Sequence, residues 1–240
     1  MFASSAGFCL LLATAVLQAK RTLYSAIGCI VFGFALVAVF SISTIYHTTC
    51  IVAPEWKIFL RSLDHCVIYL VIAGTYTPIV CLIVMERGKQ TGLGYFVLAL
   101  EWVSAAAGIA MKLLMDIDSI PPLLSTGYYL FMGWAVLIVI KPAAKLMPFS
   151  VFIWTLAGGL CYSFGVAFLL FDSLHFNHGI WHIWVIAGAS AHFVAVMLAM
   201  TETHSLKDMV NYTSTLLTGK QHTGKQHPIH SFNTKVKTNE

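Results

Sequence analysis

Seven apolar runs divide the chain, each close to the length of about 20 residues that a helix needs to cross a bilayer core about 30 Å thick. They extend from Phe2 to Ala19, Leu23 to Ile45, His65 to Val84, Thr91 to Met111, Leu123 to Ile140, Phe149 to Leu170 and Ile180 to Met200. The polar stretches between them are short, such as Lys20 and Arg21, Glu86 to Gln90 and Lys141 to Pro148, and leave no room for an extramembrane domain. The pattern predicts an all-α integral membrane protein, a seven-transmembrane helix bundle over residues 1–201. The first run also has the small residues of a secretory signal, but no basic segment precedes its apolar stretch; on that alternative six spans remain. Residues 202–240 change character, being rich in Thr, Lys, His and Asn, with TGKQH at Thr218 to His222 repeated at Thr223 to His227. This tail is expected to be disordered.

Composition sharpens the membrane reading. Of 240 residues 58% are hydrophobic and 10% charged, against about 25% charge in an ordinary soluble domain, so a soluble fold would lack polar side chains to cover its surface. A net charge of +4, concentrated in the tail, is too small to suggest nucleic acid and serves instead as topology information. With seven spans, Lys20, Arg21, Arg87, Lys89, Lys141, Lys145 and the five lysines of the tail share one side, and only Lys57, Arg61 and Lys112 lie on the other. Basic residues in short loops mark the cytoplasmic side, so the tail is expected to be cytoplasmic. The six cysteines are scattered singly and read as small buried residues. Cys50 and Cys66 fall near the site developed next but are not assigned to it.

Ionisable residues in membrane spans are costly and mark functional positions, which directs attention to the histidines. His47 ends the second span, His65 opens the third, and His178 and His182 open the seventh, with His192 deeper in that helix. The end of span two and the starts of spans three and seven all lie on one side of the membrane. His178 and His182, spaced i, i+4, share a helix face and can share a metal, and His47 supplies a third nitrogen. Three neutral imidazoles leave the fourth tetrahedral position open, the arrangement of a catalytic zinc rather than of a closed structural site. Ser43 lies one turn before His47 on the same face, and Asp64 begins the neighbouring span. A carboxylate there can accept or orient a proton, and a serine can hydrogen-bond water or a substrate carbonyl.

Plainer readings stand beside these. An H-x-x-x-H pair can be interfacial, Ser43 can bond back to its own helix, and Asp64 can be the N-cap of span three. His192 lies about 15 Å beyond His182 along the helix and reads as a core histidine. His65 stays ambiguous. Glu101, mid-span in the fourth segment, has no partner evident in the sequence, and Pro78 is expected to kink span three.

At STIYH (Ser43 to His47), RSLDHCVIYLVIAGTYTP (Arg61 to Pro78), FMGWAVLIV (Phe131 to Val139), GGLCYSFG (Gly158 to Gly165) and HGIWHIWVIAGASAHF (His178 to Phe193), the chain resembles the hemolysin III family. That family is related to the progestin and adipoQ receptors, within a superfamily that also contains alkaline ceramidases. The resemblance implies a seven-helix bundle with zinc held by His47, His178 and His182 and with Ser43 and Asp64 beside its bound water. In the adipoQ receptor branch the zinc end faces the cytoplasm, whereas the basic residues here place it outside. Three functions compete: a zinc-dependent hydrolase of a lipid amide or ester, with a membrane lipid as substrate; a receptor or regulatory protein with structural zinc; and a cytolytic pore. A pore calls for rings of polar or charged side chains, and the spans show no repeated polar face.

Overall fold

A computed structural model describes residues 23–115, 119–139, 145, 147–171 and 173–218, with the backbone alone for 25, 50, 52, 87, 138, 139 and 201–218. Its described residues are helical without any strand. Among the described residues these α-helices follow one another: α1 (Leu23–Val52), α2 (Lys57–Ile79), α3 (Thr91–Leu114), α4 (Pro122–Trp134), α5 (Phe149–Leu170) and α6 (Asn177–Thr218). The chain divides into two compact units, Met1–Thr203 and His204–Glu240, and all packing described below lies within the first.

Among the described residues five helical stretches are long and apolar enough to span a membrane: Ala26–Thr49, Pro54–Glu86, Thr91–Leu114, Phe149–Leu170 and Asn177–Met200. The first predicted span, Phe2 to Ala19, lies outside the described residues. The fifth, Leu123 to Ile140, is divided: α4 has 13 residues and gives way to a 3-10 segment at Ala135–Val139. Thirteen residues rise about 20 Å, short of the bilayer core. The division has an identifiable cause. The Tyr76 hydroxyl of α2 accepts the Val136 backbone N–H at 2.8 Å and donates to the carbonyls of Met132 (3.0 Å) and Gly133 (2.8 Å). In an uninterrupted helix Val136 would bond Met132 directly, so an inserted side chain has opened the ladder.

The central helix is α2, most of whose span is buried, whereas α3 and α5 turn much of their surface outward. Against it α1 packs closely enough that a Cβ on Gly28 would come within 2.7 Å of the Pro78 Cα. Pro78 does not end α2; the winding widens instead, and Val80–Arg87 forms a π-helix. A proline lacks the N–H that an α-turn requires, and a wider turn is a common accommodation. Phe32, Val71, Ile83, Val151 and Val196 bring α1, α2 with its π extension, α5 and α6 into one core. A second core joins α2, α3 and α4 through Tyr69, Ala105, Tyr129 and Met132.

Helices α1 and α6 continue well past the ends of their apolar runs. The α1 helix continues past Ile45 to Val52, which keeps Ser43 and His47 in regular helix. The α6 helix continues to Thr218, so the segment after 202, expected to be disordered, is helical up to that point. No Gly or Pro interrupts the chain between Gly188 and Gly219, and helix propagation is cheap once nucleated. Residues 219–240 lie outside the described residues.

Candidate metal centre

The last turns of α1 and the first turns of α6 bring three imidazoles together. Nε2 of His47 lies 3.1 Å from that of His182 and 3.2 Å from that of His178, and the His178 and His182 nitrogens are 3.0 Å apart. The rings are steeply inclined, at 58°, 87° and 85° to one another, so the three nitrogens face a common point. His47 and His178 are exposed and His182 is half-buried, and the group could hold a metal ion.

Elementary hydrogen bonding cannot satisfy this triangle. Each ring nitrogen offers either one proton or one lone pair, so three nitrogens in mutual contact always leave at least one pair of like groups facing. A shared cation removes the conflict. Ligands at the usual zinc–nitrogen distance of about 2.0–2.1 Å in a tetrahedron stand about 3.3 Å apart, close to the edges seen here, so the donor set fits such an ion. Among the described residues no other His, Cys, Asp or Glu joins the cluster.

The geometry at the start of α6 depends on a residue that sequence reasoning passed over. Asn177 accepts the His178 backbone N–H at 2.7 Å and donates its amide to the carbonyls of Leu169 and Phe171, both at 3.4 Å. It thereby ties the beginning of α6 to the end of α5. The preceding Phe176 has φ 63°, a conformation that non-glycine residues adopt at a cost. The only signal in the sequence was an Asn at a helix start, in FNHGIWH.

Asp64 is buried at 8% exposure and lies close to Ser43 and His47. It sits two turns inside α2, which begins at Lys57, so it is not an N-cap. The structure thus gathers all five predicted residues: His47, His178 and His182 at the nitrogen triangle, with Asp64 and Ser43 beside it. His65, Cys66 and His192 stand apart from the triangle. Cys66 is buried, its Sγ 4.0 Å from the Ile109 carbonyl; the side chain of Cys50 lies outside the described residues. Glu101 is buried in α3 with one carboxyl oxygen unpartnered.

An almost wholly apolar cavity of about 210 Å³ opens below this site. Ile68, one turn past Asp64, and Trp181, next to His182, line its upper end, while Ile79 and His192 line it deeper. The eleven residues of helical rise from Ile68 to Ile79 correspond to roughly 16 Å.

Comparison with known proteins agrees with the resemblance seen in the motifs. The family model described as "Haemolysin-III related" matches residues 2–193. "Hemolysin-3" of Bacillus cereus is 37% identical over 175 residues, 73% of this chain and 76% of that protein. "Hemolysin-3 homolog" of Bacillus subtilis (strain 168) is 35% identical over 168 residues, 70% of this chain and 74% of the relative. "Monocyte to macrophage differentiation factor" of Homo sapiens is 32% identical over 177 residues, 69% of this chain and 67% of the relative. With apolar helices of membrane-spanning length and a family match over residues 2–193, the chain belongs to the haemolysin-III related family of integral, multi-pass membrane proteins.

Proposed function

We propose that this protein is a membrane-embedded zinc-dependent hydrolase of a lipid amide or ester. The observation that carries the reading is the three-nitrogen triangle, open on its fourth side, with buried Asp64 and half-buried Ser43 beside it and the apolar cavity beneath. Zinc in such a site supplies a Lewis acid that polarises a carbonyl and lowers the pKa of water toward 7. The chain's own groups divide the remaining work. His47, His178 and His182 hold the ion from two helices. Asp64, enclosed and close to His47, takes the proton of the attacking water and returns it to the leaving group. Ser43, next to Asp64, offers its hydroxyl to the substrate carbonyl. The cavity accepts the apolar chain, so that the head linkage is held at the histidines, near the membrane boundary where such linkages reside.

A purely structural zinc would be expected to have four protein ligands, which the open triangle disfavours. A pore is disfavoured by the apolar lining. The hydrolase reading is tested by Asp64→Asn, which retains size and hydrogen bonding but removes the base. The purified variant is expected to keep its zinc while turnover of lipid amides and esters falls by roughly 100-fold or more. Full zinc occupancy with undiminished turnover removes Asp64 from the chemistry. Absence of turnover by the zinc-loaded wild type across both linkage classes overturns the hydrolase.

A further inference from the structure

The cavity below the histidines contains two polar side chains that bond to nothing else in the described chain. His192 is 7% exposed, lines the cavity and has an enclosed Nδ1 without a partner. Tyr162 of α5 lines the same space, and its ring stacks on that of His192 with centroids 5.6 Å apart and planes at 20°. Neither the imidazole nor the phenol has a hydrogen-bond partner among the described residues. Their neighbours on the cavity wall differ in this respect. Thr75 donates to the Val71 carbonyl at 2.7 Å, Thr155 to that of Val151 at 2.8 Å, and Ser163 to that of Gly159 at 2.8 Å while accepting from Trp134.

The backbone makes room for both rings. A Cβ on Gly158 would lie 2.5 Å from His192 ring atoms, and one on Gly188 would lie 2.9 Å from the Tyr162 ring. Two helices therefore approach closely around a pair of groups whose hydrogen-bonding capacity is left over. Buried polar groups are normally satisfied, and leaving them unsatisfied is costly, so a group entering the cavity is the partner to look for. Among the described residues no Lys, Arg, Asp or Glu lines the cavity, which argues against a charged group. A neutral imidazole and a phenol together both donate and accept, which suits a hydroxyl.

We infer that the cavity takes a lipid chain bearing a hydroxyl remote from its head, held between His192 and Tyr162. The inference rests on the proposed use of the cavity for a lipid chain and names the class of chain. His192 follows His182 by ten residues, about 15 Å along α6, so the hydroxyl stands about that far from a head group at the three histidines. An unsubstituted chain fits the same space but leaves both side chains unpaired.

Octadecan-1-ol and octadecane-1,12-diol test this, since neither has a bond to hydrolyse and they differ by one hydroxyl. Binding to the purified protein in detergent is read from the fluorescence of Trp134 and Trp181, which line the cavity. The wild type is expected to bind the diol about fivefold to tenfold tighter, the worth of one neutral hydrogen bond. His192→Leu and Tyr162→Phe should each bind octadecan-1-ol as the wild type does and lose most of that preference. Equal affinity of the wild type for both alcohols, or a preference that survives both substitutions, overturns the hydroxyl site while leaving the chain-binding cavity standing. Failure of both alcohols to bind overturns the hydroxyl site and the chain-binding cavity together.

Discussion

Three imidazoles meeting through Nε2 at 3.0–3.2 Å form a group that could hold a metal ion, and this makes metal content the decisive property at the scale of single residues. About one zinc per chain is expected, because three nitrogens and one open position make one tetrahedral site. Substituting His47, His178 or His182 by Ala should bring the content below about a tenth of that by elemental analysis of purified protein. His192→Ala, deeper in α6, should leave it unchanged. Metal retained after all three ligands are replaced would sink the assignment. The residue scale also shows where reading the sequence stops short. Ser43, His47, His178 and His182 were legible from i, i+4 spacing within single helices. Asp64 was open to reading as an N-cap because the apolar run begins at His65, whereas α2 starts at Lys57. Helices can extend into polar residues, so the edge of an apolar run does not mark the helix end.

At the scale of elements, the division of α4 is a property of α2. The stretch PLLSTGYYLFMGWAVLIV has no proline after its first turn, and Gly133 weakens the helix at Trp134 without by itself ending it. The cause lies about sixty residues away in Tyr76, whose hydroxyl holds the Val136 N–H and the Met132 and Gly133 carbonyls. Tyr76→Phe removes that bridge and leaves the Val136 N–H without its partner. It should lower thermal stability in detergent by the equivalent of about 1–3 kcal/mol, the usual cost of an unsatisfied buried donor or acceptor. An unchanged or raised midpoint would mean that α4 rewinds and closes its own ladder. The π segment after Pro78 is similar in kind: a proline within a span was visible, but whether it would bend the helix or widen it depended on packing against Gly28 of α1.

For the whole molecule the open matter is orientation, which basic residues address and internal packing does not. The proposed arrangement puts the tail in the cytoplasm and the histidine triangle on the opposite side. The sequence Asn211-Tyr212-Thr213 in the tail is an acceptor for N-linked glycan only where it faces a lumen. Expressed in a eukaryotic host, the protein should carry no glycan at Asn211, as judged by an unchanged mobility after deglycosylation. A glycan there reverses the orientation and places the triangle in the cytoplasm, the side it occupies in the adipoQ receptors.

Hydrophobic spacing alone determined that the chain is helical and membrane-embedded, because a bilayer imposes one length and one backbone solution on whatever crosses it. Parity along the chain determined which helix ends share a side, and with it that residues 47, 64, 178 and 182 can meet. Only the tertiary structure decided that they do meet, with three nitrogens within 3.2 Å, since the rotation of each helix about its axis is set by packing and not by its mean apolarity. The cavity, the inserted Tyr76 and the unpartnered His192–Tyr162 pair belong to the same class. Each arises between helices distant in sequence, where steric fit selects which polar group a neighbour satisfies and which it leaves free for a ligand.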